Sequence, residues 1–142
     1  MKPDVRTSSS NALSPAPRSL RVLVVDDERD TVLTLMELLR DEGHETRGVY
    51  TGRQALQAIR DLNADAVIMD IAMPEVTGWD TAREIREAIG AARPLLIALS
   101  GQYTKGADRV LSQLAGFDYY LTKPCDPNVL LALLTSVKPS AA

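Results

Sequence analysis

Two adjacent carboxylates, Asp26 and Asp27, close the apolar run "RVLVV". Asp70 stands directly after "AVIM", Ser100 ends "LIALS", and Lys123 follows "YLT". Acids gathered in one place repel one another unless something positive joins them. A hard divalent cation would do so, since Mg²⁺ takes oxygen ligands and keeps several waters. Asp70 and one of the first pair could hold it directly, with the other acting partly through water. The backbone carbonyl of Ala72 is within easy reach, and a methyl side chain there costs nothing for a backbone ligand.

Two kinds of chemistry suit such a set. A metal could activate water for hydrolysis. Alternatively, one carboxylate could attack phosphorus and form an acyl phosphate. The metal, Ser100 and the mobile point charge of Lys123 would then neutralise the phosphoryl oxygens. The chain lacks a GxxxxGKS/T phosphate cradle and shows no GxGxxG after the first strand, so nucleotide chemistry by those routes is disfavoured. Each residue alone also has an ordinary reading. Asp27, followed by "ERD", could cap a helix and complement its dipole. Ser100 could be a loop hydroxyl, and Lys123 a solvated cation. Only a fold that gathers them removes those readings.

Five apolar runs have strand length: "RVLVV", "HETRGV", "DAVIM", "PLLIAL" and "FDYYL". Three are almost wholly apolar, as strands covered on both faces must be. Helical periodicity lies between them. Val32, Leu35, Met36 and Leu39 mark the first helix, and Ala55, Leu56 and Ile59 the second. Ala82, Ile85 and Ile89 mark a third, and Ala107, Val110, Leu111 and Leu114 a fourth. Val129, Leu133 and Val137 mark the last, with Leu130 and Leu134 beside them, while Leu131 falls off the stripe. Gly43, Gly90 and Gly116 fall where helices should stop. A βα unit repeated in this way builds an α/β fold, a parallel sheet with helices on both faces. Ligands of such sheets sit beyond the carboxyl ends of the strands. The acids, the hydroxyl and the ammonium then share one edge, and only the second strand contributes nothing to it.

With 142 residues, 45% of them hydrophobic, the chain suits one ordinary globular domain. The opening "MKPDVRTSSSNALSPAPRS" cannot offset the entropy of ordering itself. Residues 1–19 therefore read as a flexible tail or linker remnant, 20–138 as the domain, and 139–142 as a short tail. The net charge of −3 disfavours a nucleic-acid partner. Apolar stretches fall short of the ~20 residues that span a bilayer, and no signal peptide is visible. One cysteine, Cys125, precludes an internal disulfide, so a cytoplasmic setting fits best.

Four segments, "VLVVDDE", "DAVIMDIAMPEVTGWD", "IALSGQ" and "YLTKP", resemble the signatures of the receiver domain of two-component response regulators. The resemblance covers everything but the tail. It implies the CheY-like (βα)5 doubly wound fold, with five parallel strands in the order 2-1-3-4-5. It makes Asp70 the phosphoacceptor for a histidine kinase or a histidine phosphotransfer protein. Asp26, Asp27, Asp70 and the Ala72 carbonyl would hold Mg²⁺, for which Mn²⁺ could substitute. Ser100, Gly101 and Lys123 would contact phosphate, and the Lys123–Pro124 bond would be cis. Tyr120 falls at the aromatic switch position. Its rotation with Ser100 would alter the face made by the fourth helix, fifth strand and fifth helix, which meets the output partner.

The resemblance places Ala72 and Gln102 at positions that tune phosphate lifetime in the family. The stretch from Ser100 to Lys123 is one residue longer than the commonest spacing, with the extra residue placed in "GQYTKGAD". Pro74 and Gly78 would shape the loop over the site, or simply lead into a helix capped by Thr77. Trp79 reads as a packing residue near that loop, His44 as structural, and Cys125 as inert. The apolar "NVLLALLTSV" would suit a homodimer or partner surface. The closing "KPSAA" leaves no room for an output domain, so the chain reads as a stand-alone or excised receiver. The rival readings are an interaction module that is never phosphorylated and a metal-dependent phosphohydrolase on a similar fold.

Overall fold

A computed structural model describes residues 19–101 and 106–139. Five βα units follow in order: β1 (Arg21–Val25), α1 (Arg29–Asp41), β2 (Glu45–Val49), α2 (Gly52–Leu62), β3 (Ala66–Asp70), α3 (Gly78–Ala88), β4 (Leu95–Ser100), α4 (Gly106–Ala115), β5 (Tyr119–Thr122) and α5 (Pro127–Leu134). The strands form one parallel sheet in the order β2-β1-β3-β4-β5. This is the doubly wound (βα)5 fold with the expected strand order. Residues 1–18 of the expected tail, residues 102–105 of "GQYTKGAD", Gln102 among them, and residues 140–142 lie outside the described residues. No helix among the described residues is long and apolar enough to cross a membrane.

The sheet divides the core in two because successive strand residues point to opposite faces. Leu23, Val25, Val67, Met69, Leu96 and Ala98 face one layer with α2 and α3. Val22, Val24, Ala66, Ile68, Ile97 and Leu99 face the other with α1 and α5. Strands β1, β3 and β4 are thus apolar at nearly every position because neither face meets water. Gly43, Gly90 and Gly116 carry φ of +90°, +144° and +114° where their helices end, as their spacing predicts.

Three apolar stripes differ from expectation. On α4, Val110, Leu111 and Leu114 are exposed, Leu114 by 74%, and Ala107 is exposed with them. The inward positions are Ser112 and Ala115. Small side chains let the helix lie close to its neighbours, and the Trp79 indole N–H donates to Ser112 Oγ at 2.9 Å. Periodicity alone cannot tell which face of a short helix a single buried hydroxyl will claim. On α3, Ala82 and Ile85 are buried, but Ile89 is the C-cap and stands 40% exposed. On α5, Leu130 and Leu134 are buried with Val137, Leu131 and Leu133 pack partly against the core, and Val129 is exposed.

Two polar fastenings tie the amino-terminal edge of the sheet. Arg86 of α3 donates from Nε to Gly116 O (2.9 Å), from Nη1 to Pro94 O (2.8 Å) and from Nη2 to Asp118 (2.9 Å). The same Asp118 oxygen accepts from the Leu96 amide at 2.9 Å. Asp65 accepts from the Arg21 amide and from the Arg93 guanidinium, each at 2.8 Å. His44 is structural, as expected: its Nδ1 accepts from the Leu20 amide at 3.1 Å, which fixes the neutral ring with its proton on Nε2. Burial holds its pKa below the ordinary value, against a smaller opposing pull from Glu42.

Arg86→Ala should lower stability by about 1–3 kcal/mol, read by urea unfolding, because it leaves the Gly116 and Pro94 carbonyls without their donor. The His44 pKa is depressed by folding, so its stabilising contribution is complete above the unfolded value near 6.5 and is lost as pH falls through the folded value. His44→Asn, which can accept the same amide proton without charging, should flatten the decline in melting temperature just below that pH.

Candidate functional site

Neighbouring strands in the order β1-β3-β4-β5 bring their carboxyl ends side by side. Asp26 and Asp27 follow β1, Asp70 and Ser100 end β3 and β4, and Lys123 follows β5. Asp26 is fully buried, Asp70 and Ser100 nearly so, and Asp27 is exposed. One carboxylate oxygen from each of Asp26, Asp27 and Asp70 lies within 4.8 Å of the others. Lys123 Nζ stands 2.7 Å from Asp26 Oδ2 and 3.5 Å from Asp70 Oδ2.

Backbone amides aim the two buried acids. Asp26 Oδ1 accepts from the Glu28 amide at 2.9 Å, and Asp70 Oδ1 from the Ala72 amide at 3.1 Å. The acids are not consumed as helix caps, because the N-cap of α1 is Glu28. The loop after Asp70 is drawn tight over the sheet. Ile71 donates to Leu99 O and Gly78 to Ile71 O, both at 3.0 Å, while Ile71 and Met73 are buried. A Cβ on Gly78 would lie 2.6 Å from Asp70 O and Ile71 Cα, so only glycine lets α3 begin there. Thr77 caps that helix by accepting from the Asp80 amide at 3.2 Å. Pro74 is exposed, and its carbonyl accepts from the Val76 amide at 2.8 Å. The segment thus leads into α3 through the Thr77 cap.

The electrostatics are those of an excess of acid around one ammonium. Burial, aided by the neighbouring Asp70, pushes the Asp26 carboxyl above the usual range against the pull of Lys123 and of the Glu28 amide. For Lys123, burial pulls downward, but Asp26, Asp70 and Glu28 together hold its ammonium above the ordinary value. Asp26 Oδ2 is buried with no aligned hydrogen bond, although Lys123 stands beside it as an ion pair. A buried carboxylate oxygen in that condition, inside a cluster of hard donors, fits a divalent cation.

The Lys123–Pro124 peptide is cis, and so is Arg93–Pro94, which the sequence did not suggest. Gly101 is exposed beside the Lys123 stem; a Cβ there would lie 3.7 Å from Lys123 Cδ. Tyr120 is half-buried against the α2–α3 layer, with the Arg109 guanidinium 4.9 Å from its ring centroid, while Tyr119 is 39% exposed. Cys125 is half-buried, and burial pushes its thiol pKa up, away from reactivity. The residue missed by sequence reasoning is Glu28, whose Oε1 is 3.4 Å from Lys123 Nζ. Its place directly after the acid pair was the only signal.

A family model described as the response regulator receiver domain matches residues 22–135. The chain is 38% identical over 112 residues to the DNA-binding response regulator MtrA of Mycobacterium tuberculosis, which covers 79% of this chain and 47% of that protein. It thus spans about half the length of the curated relatives it matches. Among solved structures, Vibrio cholerae chemotaxis protein CheY4 superposes with a TM-score of 0.76 at 27% identity, covering 84% of this chain and 98% of that one. The signal receiver domain of a histidine kinase from Syntrophus aciditrophicus gives 0.74 at 28% identity, covering 87% and 96%.

Gly78→Ala should cost about 1–3 kcal/mol in urea unfolding, because the added methyl must displace the Asp70 backbone. The same displacement should weaken Mg²⁺ binding, measured by calorimetry.

Proposed function

The chain belongs to the response regulator receiver domain family, and on that footing we propose that Asp70 accepts a phosphoryl group from a phosphohistidine donor. The observation that carries this reading is the Lys123 ammonium held between buried Asp26 and Asp70, 3.5 Å from the oxygen that would react or stand beside the one that does.

An Asp70 carboxylate oxygen attacks phosphorus in line with the leaving imidazole. The new P–O bond forms as the P–N bond breaks, and the imidazole nitrogen keeps the electron pair. Asp70 is held for this by the Ala72 amide, which leaves its other oxygen toward Lys123. Lys123 follows the negative charge from the carboxylates onto a phosphoryl oxygen. Ser100 and the Gly101 backbone, at the end of β4, meet the others. Asp26, Asp27, Asp70 and the Ala72 carbonyl would hold Mg²⁺, or Mn²⁺ in its place. The cation supplies neutralisation of the carboxylates and of the phosphoryl oxygens. Hydrolysis of the acyl phosphate returns Asp70 to its starting state, so the protein acts as a switch rather than on a small-molecule substrate.

The donor is a histidine kinase or a histidine phosphotransfer protein, in keeping with a cytoplasmic setting. The output partner, or a second copy, meets the face of α4, β5 and α5, where Val110, Leu111, Leu114 and Tyr119 are exposed. Tyr120, packed beside Arg109, links that face to Ser100 through the adjoining strands. Phosphorylation would shift a two-state population there rather than make a new fold.

Incubation with a small phosphodonor and Mg²⁺, followed by intact-mass measurement, should show a gain of about 80 Da, one phosphoryl group. The gain should vanish in Asp70→Asn and without the cation. Steady release of phosphate from small esters with no adduct would instead favour a phosphohydrolase. No gain and no release would favour an interaction module.

A further inference from the structure

The N-cap of a helix is best filled by a short Asp, Asn, Ser or Thr, whose oxygen reaches back to the first amides. Helix α1 has Glu28 there, with a side chain that makes no capping hydrogen bond. Its Oε1 accepts instead from Thr31 Oγ1 at 3.1 Å and lies 3.4 Å from Lys123 Nζ. The backbone of the same residue donates to Asp26 Oδ1. The carboxylate is largely solvent-exposed and lines a cleft of about 570 Å³ between α1 and the Lys123–Cys125 segment, together with Asp30, Gly101, Lys123 and Pro124. The ammonium that must receive phosphoryl charge is therefore already shared with a third, outward carboxylate.

We propose that Glu28 is a positioning residue for phosphoryl acceptance. It draws the Lys123 ammonium outward from Asp26 and Asp70, in competition with incoming phosphoryl oxygens, and its charge selects against donors with excess negative charge. The inference rests on Asp70 being the phosphoacceptor. Glu28 touches no reacting atom, and its effect reaches Asp70 through the shared Lys123 ammonium and through the field of its exposed charge.

Two small donors of different charge separate this role from a structural one. With acetyl phosphate, a dianion at neutral pH, the Asp70 oxygen attacks phosphorus and acetate leaves with the electron pair of the broken P–O bond. With phosphoramidate, a monoanion whose nitrogen is already protonated, the P–N bond breaks and ammonia leaves. Glu28→Gln should raise the initial rate of phosphorylation by acetyl phosphate about threefold or more at low salt, the scale of one exposed charge interaction. The gain should be clearly smaller with phosphoramidate and should shrink as ionic strength rises. Glu28→Ser should show the same donor dependence and also a higher melting temperature, since it restores the cap.

An equal gain with both donors, no gain, or a gain confined to the Ser variant would overturn the inference while leaving the Asp70 reading intact. Wild-type protein that forms no adduct with either donor would overturn both, so the two failures are distinguishable.

Discussion

Everything at the carboxyl edge of the sheet depends on how much negative charge can be kept out of water. Asp26 is sealed against the sheet, Asp70 is nearly so, and one ammonium serves both at unequal distance. Two buried carboxylates and one lysine do not balance, and a third acid stands within bridging range. A protein built only for stability would replace such a group with apolar side chains at little cost. Here the imbalance is maintained by backbone amides aimed at the inward oxygens, which leaves the other oxygens directed at Lys123 and at one another. The pocket thus holds an unmet demand for positive charge, which a divalent ion can satisfy.

The opposite edge is arranged in the reverse sense. Arg86 there meets Asp118 and two main-chain carbonyls, and Asp65 meets an amide and a guanidinium. Each charge is satisfied by groups within the fold. One end of the sheet is therefore closed electrostatically and the other left open, and the rigid apolar strands between them hold the acids in place.

Much of this could be read from residue order. The strands announce themselves as apolar runs too short for anything else, and each glycine stop was visible as punctuation. The site was legible because a parallel sheet sends every strand end to the same edge, so that Asp26, Asp70, Ser100 and Lys123 converge once the alternation of elements is known. What escaped were contacts decided by three-dimensional fit. The inward turn of Ser112 follows from the reach of one indole N–H, not from hydropathy. The Arg86 clamp joins residues 30 and 32 positions apart, with no local pattern to mark it. Glu28 looked like one more acid in an acidic first turn, and the path of Lys123 across the edge gives it a cationic partner.

The seating of α4 has a consequence of its own. The helix presses only a serine and an alanine inward, and its large apolar side chains lie in solvent. It buries no large apolar side chain of its own, so its share of the free energy that holds the domain together is small. Its amides should therefore exchange with solvent through local excursions far cheaper than global unfolding, while those of β1, β3 and β4 wait for the whole domain to open. A weakly anchored element beside a rigid sheet can be reset by a small change in energy at the neighbouring strand ends.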